Sequence, residues 1–176
     1  MNTIEAIMQR ISTRSFSEQV ISDDDMHTLL AAAMSGPSCA NTRDWSFIVL
    51  RDREIIDRVA DGNGPYVGPL RKASAAVLVC GDCSRSYENA RDYWIIDGAI
   101  AAQNLILAAT ELGIGSCWIG TYPEMERVEA QIKLFDLPEH IVPHSVIALG
   151  YPDEIALNTP GRAKYYEEDR VHLNKW

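Results

Sequence analysis

Positive charge is scarce in this chain. Lys and Arg number 16 against 25 Asp and Glu, giving a formal net charge of −9. A protein that grips nucleic acid at large needs a basic face, and one that docks on an anionic membrane needs the same. Neither fits here. An acidic balance suits a soluble cytoplasmic protein and confines any anion site to a local cluster of cations. Long apolar runs are also missing: the alanine-rich uncharged stretch Gly98 to Thr110 is too short to span a bilayer and contains Gln103 and Asn104. The first eight residues lack the basic start and apolar core of a secretory leader. No repeat, low-complexity tract or Rossmann glycine fingerprint occurs. The histidines, His27, His140, His144 and His172, have no spacing that suggests a triad or a ligand set.

Cysteine is sparse as well. Cys80 and Cys83 form a C-x-x-C pair, the spacing of a redox couple or half a metal site. No second pair and no His at ligand spacing completes a zinc site. Cys80 ends a buried-strand pattern, AAVLVC, and Asp82, Ser84 and Arg85 lead into a polar loop rather than the helix a redox pair opens. Cys39, Cys80, Cys83 and Cys117 therefore read as reduced thiols, and no metal is expected.

What is present is a single domain of 176 residues, 47% hydrophobic, with enough chain for a sizeable core. Ile4 to Gln9 reads as a short helix. Ser22 caps a second, with Asp23, Asp24 and Asp25 in its first turn and Met26, Leu29, Leu30 and Ala33 on one face, stopping at Gly36. Phe47–Leu50 is a strand and Asp52–Asp61 a helix with Ile55, Ile56 and Val59 inward. Gly62 to Pro69 reads as a mobile loop. Ala75–Cys80 is a buried strand. The longest helix runs from about Arg91 to Leu112, apolar nearly all round from Asp97 onward and closed by Gly113. Ile114–Ile119 is a strand, and Glu124–Phe135 an amphipathic helix with Met125, Val128, Ile132 and Leu134 or Phe135 inward. Val142–Leu149 is the last core strand. Four strands and about five helices imply an α+β fold in helix–sheet–helix layers.

Four stretches resist a packing explanation. QRISTRSF sets Arg10 and Arg14 on either side of Ser12 where the first helix ends. GPSCANTRDW, Gly36 to Trp45, is small and polar between a helix and a strand. GIGSCWIG, Gly113 to Gly120, is a strand framed by glycines. TPGRAK, Thr159 to Lys164, is basic in an acidic tail. Arginines hold phosphate oxygens in bidentate fashion, and hydroxyls add donors. Gly120, without a Cβ, lets a flat ring approach the backbone. Taken one at a time, these residues also read as solvated charges, turn residues and a helix stop.

Together they carry a resemblance. The order Arg10-x-Ser12-x-Arg14, Pro37-Ser38-x-x-Asn41-x-x-x-Trp45, Asp97-Gly98 with Gln103-Asn104, and Glu111-Leu112-Gly113-x-Gly115-Ser116-x-Trp118-x-Gly120 resembles the nitroreductase family of FMN-dependent flavoproteins, in a short, lid-poor form. Leu137-Pro138-Glu139, Ile147 to Pro152 and Glu168 to His172 extend it along nearly the whole chain. The resemblance implies a nitroreductase-like layered fold with a mixed, mainly antiparallel sheet, and that Arg10 and Ser12 hold the FMN phosphate with Arg162 or Lys164. Arg14 would lie by the pyrimidine edge of the flavin, where a fixed cation favours the reduced ring. Ile119 and Gly120 would border the ring, with the Gly120 N–H facing N5. Pro37, Ser38 and Asn41 would reach the flavin of the partner subunit in a homodimer.

The implied activity is an oxidoreductase in which NADH or NADPH reduces FMN and a small electron-poor acceptor, such as a nitroaromatic or a quinone, takes the electrons in a ping-pong cycle. No side chain is expected to act as acid or base. One departure stands out: the family has Gln-Pro before the tryptophan, and this chain has Arg43-Asp44. The alternatives are an FMN storage or sensing protein without turnover, and a same-fold flavin reductase or reductive dehalogenase.

Overall fold

The computed structural model describes residues 1–161 and 166–176. Among these described residues are seven α-helices, α1 (Thr3–Gln9), α2 (Asp23–Met34), α3 (Arg53–Asp61), α4 (Gly68–Lys72), α5 (Tyr93–Glu111), α6 (Met125–Phe135) and α7 (Glu154–Leu157), and four strands, β1 (Trp45–Leu50), β2 (Ala75–Asp82), β3 (Gly115–Gly120) and β4 (Ile141–Gly150). The strands form one sheet in the order β1-β2-β4-β3, every neighbour antiparallel. Among the described residues the parallel component is a lone bridge between Ser12 and Ser116.

Period-two alternation divides the core. On β2, Ala75, Val77 and Val79 face one side with Ile147 and Leu149 of β4, packed under α2 and α5. Ala76, Leu78 and Cys80 face the other side with Val146 and Ala148, under α3 and α4. Helices cover both faces, which gives the layered architecture expected. Caps are as the side chains dictate. The Ser22 side chain accepts the Asp25 N–H at the start of α2, and the Asp52 side chain accepts two N–H groups at the start of α3.

Three expectations change. The glycine-rich stretch after α3 runs into a short helix, α4, with Pro69 near its start where a missing N–H costs nothing. Met125 is exposed, and Gln131 takes its inward place on α6, donating Nε2–H to the Val59 carbonyl at 3.1 Å. And α5 is not buried on every side. Ile95, Ile96, Ala99 and Ile100 line a shallow apolar groove with Gln103 and Asn104, and Ile96 is 54% exposed. No helix among the described residues is long and apolar enough to cross a membrane.

Candidate functional site

The segment after α1 is held in place by backbone pairing. β3 is an edge strand, and Thr13 donates its N–H to the Ser116 carbonyl at 2.8 Å on its free side. Ser17 donates to the Tyr151 carbonyl at 2.8 Å. Two glycines make the fit possible: a Cβ on Gly115 would lie 2.7 Å from Thr13 Cγ2, and one on Gly150 2.9 Å from Phe16 Cδ1. The Ser15 hydroxyl donates to Asp153, which caps α7.

Between these anchors opens a cleft of about 760 Å³, lined by Arg10 to Ser15, by Ile155, Ala156 and Thr159 to Gly161, and by Lys72 at the end of α4. Three cations and several hydroxyls line it in a chain of net charge −9, with the Asp153 carboxylate bonded to the Ser15 hydroxyl at its margin. That is the local cation cluster an anion such as a phosphate monoester requires. The Arg14 guanidinium donates to the Ser12 carbonyl at 2.9 Å, which curls the loop around its own cations. Burial pushes the Cys117 thiol up, while the charges of Arg14 and Arg10 pull the other way.

Gly120 lies at the other end of the same strand. Because backbone groups alternate along a strand, Ser116, Trp118 and Gly120 turn theirs toward the free edge while the residues between pair with β4. The outward Gly120 carbonyl accepts from Asn63 Nδ2 at 3.0 Å and from Arg127 at 3.0 Å. Asn63 is itself buried and accepts from the Thr121 hydroxyl at 2.9 Å. Nothing lies within 4 Å of where a Gly120 Cβ would stand. Ser116 and Gly120 are separated by about 13 Å of strand, with the cationic cleft at one end and a glycine with free space at its side-chain position at the other. A phosphate and a flat ring joined by a flexible chain match that layout, so the residues present fit FMN.

Of the residues singled out from sequence, Arg10, Ser12 and Arg14 come together in the cleft. Gly120 is on the same strand edge. The Ile119 side chain is in the core, 5% exposed, and its backbone faces β4, so the structure turns neither toward the free edge. Pro37, Ser38 and Asn41 do not line the cleft. They belong to a loop docked on α5, where Asp97 accepts the Cys39 N–H at 2.9 Å. Ala40, Asn41 and Arg43 all adopt positive φ (49°, 56° and 53°), a conformation costing on the order of 1 kcal/mol each in non-glycine residues. Arg162 and Lys164 lie outside the described residues.

Sequence reasoning missed Lys72, Asn63 and Arg127. Lys72 stood beyond an apparent loop, and the other two act on a backbone carbonyl that only the fold brings near. The cysteines are free, and burial pushes the Cys80 thiol up to about 12.

Comparison with known proteins identifies relatives of the chain and of its fold. The profile of the Nitroreductase family matches residues 7–63 and 66–151. A protein of Methanothermobacter thermautotrophicus named "Putative NADH dehydrogenase/NAD(P)H nitroreductase" is 41% identical over 176 residues, covering 100% of this chain and 88% of its own. A crystal structure from Parabacteroides distasonis with the same designation superposes with a TM-score of 0.89 at 35% identity, covering 100% of both chains. An FMN-dependent nitroreductase from Clostridium difficile is 27% identical with a TM-score of 0.82, covering 98% of this chain and 99% of its own.

Proposed function

The chain belongs to the nitroreductase family, and from that premise we propose that it is an FMN-dependent oxidoreductase that takes electrons from NADH or NADPH and passes them to small electron-poor acceptors by a ping-pong cycle. The observation that carries this reading is the pairing, along one free strand edge, of a cationic cleft with Gly120, which has open space at its side-chain position.

Arg10, Arg14, Lys72 and the Ser12 hydroxyl would hold the phosphate, with Arg162 or Lys164 from the tail. Bound FMN supplies hydride acceptance and donation at its ring, chemistry no side chain of the chain can provide. The chain's own contribution is position and field. The outward Gly120 N–H is available to the ring edge. Asn63 and Arg127 fix the following peptide by its carbonyl. Arg14, at the ring-proximal side of the cleft loop, would favour negative charge on the pyrimidine edge. No general acid or base is assigned.

The protein acts as a homodimer in this proposal. Ile95, Ile96, Ala99 and Ile100 form an apolar face beside the loop that carries Pro37, Ser38 and Asn41, and burying that face against a second copy would carry the loop to the partner's flavin. The separation of these residues from their own chain's cleft supports this arrangement.

The test is anaerobic stopped-flow mixing of the FMN-loaded protein with NADH and with NADPH, followed by a nitroaromatic or quinone. Bleaching of the oxidised flavin band by at least one nucleotide, then its recovery on adding acceptor, is expected. A flavin that stays oxidised with both nucleotides would make the protein a carrier or sensor of FMN.

A further inference from the structure

Two carboxyls lie buried together where the loop of Pro37 to Asp44 meets α5. Asp44 is 0% exposed and Asp97 2% exposed. Asp44 Oδ2 accepts the Ser86 hydroxyl at 2.9 Å, and Asp97 Oδ2 accepts the Cys39 N–H at 2.9 Å. Asp44 Oδ1 is buried with no partner. Among the described residues neither carboxylate has an ion-pair partner.

The neighbouring charges are already committed. On the loop, the Arg43 guanidinium reaches the Met34 carbonyl at 3.5 Å. Beyond β2, Arg85 donates to the Thr42 carbonyl at 3.3 Å, and Asp82 donates its N–H to the Asp44 carbonyl at 2.9 Å. The Cys39 and Cys83 thiols are pushed up by burial and by these acids, with Asp92 adding to the effect at Cys83 and Arg91 opposing it. From β4, His144 bonds the Ile95 carbonyl at 3.0 Å, and burial lowers its pKa.

Two ionised carboxylates side by side, dry and without a cation, repel strongly. A proton between them removes the repulsion and gives Asp44 Oδ1 the donor it lacks. We propose that Asp44 and Asp97 share one proton, and that this shared proton docks the strained loop of Pro37 to Asn41 on α5. The pair positions the loop and touches no substrate. Its importance for FMN rests on the reading that the loop reaches the partner's flavin. Burial, with Asp44 adjoining, does raise the Asp97 carboxyl above its ordinary 3.8. Stability from the pair is therefore full below that value and is lost as pH rises through the raised one.

The test compares wild type, Asp97→Asn and Asp97→Ala as FMN-loaded protein from about pH 4 to about pH 9, by thermal unfolding, by the infrared C=O band of protonated carboxyls and by FMN retention. An asparagine keeps the acceptor for Cys39 and offers Asp44 an N–H that never titrates. Wild type should lose melting temperature relative to Asp97→Asn as pH rises, in step with loss of an infrared band absent from Asp97→Asn. The FMN dissociation constant should rise about tenfold across the window in wild type and hold steady in Asp97→Asn. Asp97→Ala should be less stable at every pH. Asp44→Asn provides the same comparison from the other carboxyl if Asp97→Asn does not fold. Parallel melting curves for wild type and the asparagine variant would overturn the shared proton. Diverging curves with unchanged FMN retention would uphold it and instead refute the loop's reach to the flavin.

Discussion

Asn63 holds the carbonyl of Gly120: its buried side-chain amide donates across 3.0 Å to the last residue of β3. A turn after α3 thereby fixes the peptide orientation at the open end of the strand edge. Asn63→Ala removes this donor and leaves the Thr121 hydroxyl without its acceptor. Arg127 still holds the carbonyl, so the fold should survive with a loss of roughly 1–3 kcal/mol. Flavin reduction at saturating nucleotide should slow, whereas FMN affinity should change little. Stopped-flow rates on fully loaded protein check this.

Gly120 itself has open space where a side chain would stand, and its φ is not in the left-handed region. Gly120→Val should therefore fold and melt close to wild type. Its branched side chain would occupy the position needed by the ring, so the reduction rate should fall at least tenfold in FMN-loaded protein. A rate equal to wild type would make Gly120 an ordinary strand-end glycine.

The apolar face of α5 predicts assembly. Ile100→Glu places a charge in the groove beside Ile96 and Ala99. Wild type should have the mass of a dimer by light scattering at micromolar concentration, and FMN should raise its melting temperature by binding the assembled form. The variant should shift toward monomer and retain less FMN. Wild type that is monomeric with flavin bound would contradict the interface.

His144 sets a second pH dependence, opposite in sign to that of Asp97. Burial holds its pKa below the usual 6.5 despite the bond to the Ile95 carbonyl. The unfolded chain takes up this proton first, so the contribution to stability is present above 6.5 and is lost as pH falls through the lowered value. His144→Gln should flatten the acid side of the melting-temperature profile, measured by scanning calorimetry.

Much of the fold was legible because its signals are local. Ser22 ahead of three aspartates, the apolar run into Cys80 and the alanine-rich α5 each depend on propensity and periodicity alone. α4 was hidden because a five-residue helix beginning Gly68-Pro69 has the composition of a loop. Met125 was misplaced because the inward face of α6 is decided by where Val59 offers a carbonyl to Gln131. In the site, Arg10, Ser12 and Arg14 were readable as cations and hydroxyls at a helix end. Lys72 was not, since only the packing of α4 beside β3 brings it to them. The pairing of Asp44 with Asp97 was equally hidden, because distant segments of chain meet there.

The central claim is that the cleft at Arg10 binds the phosphate of a flavin. Its direct test is the affinity of the apoprotein for FMN and for riboflavin, in wild type and in Arg10→Ala, by flavin fluorescence titration. A charge-assisted phosphate contact contributes roughly 1.5–3 kcal/mol. FMN should bind wild type at least tenfold more tightly than riboflavin, and Arg10→Ala should weaken FMN by about tenfold or more while leaving riboflavin nearly unchanged. Equal affinity for FMN in wild type and variant would contradict the account and return Arg10 to the surface charges.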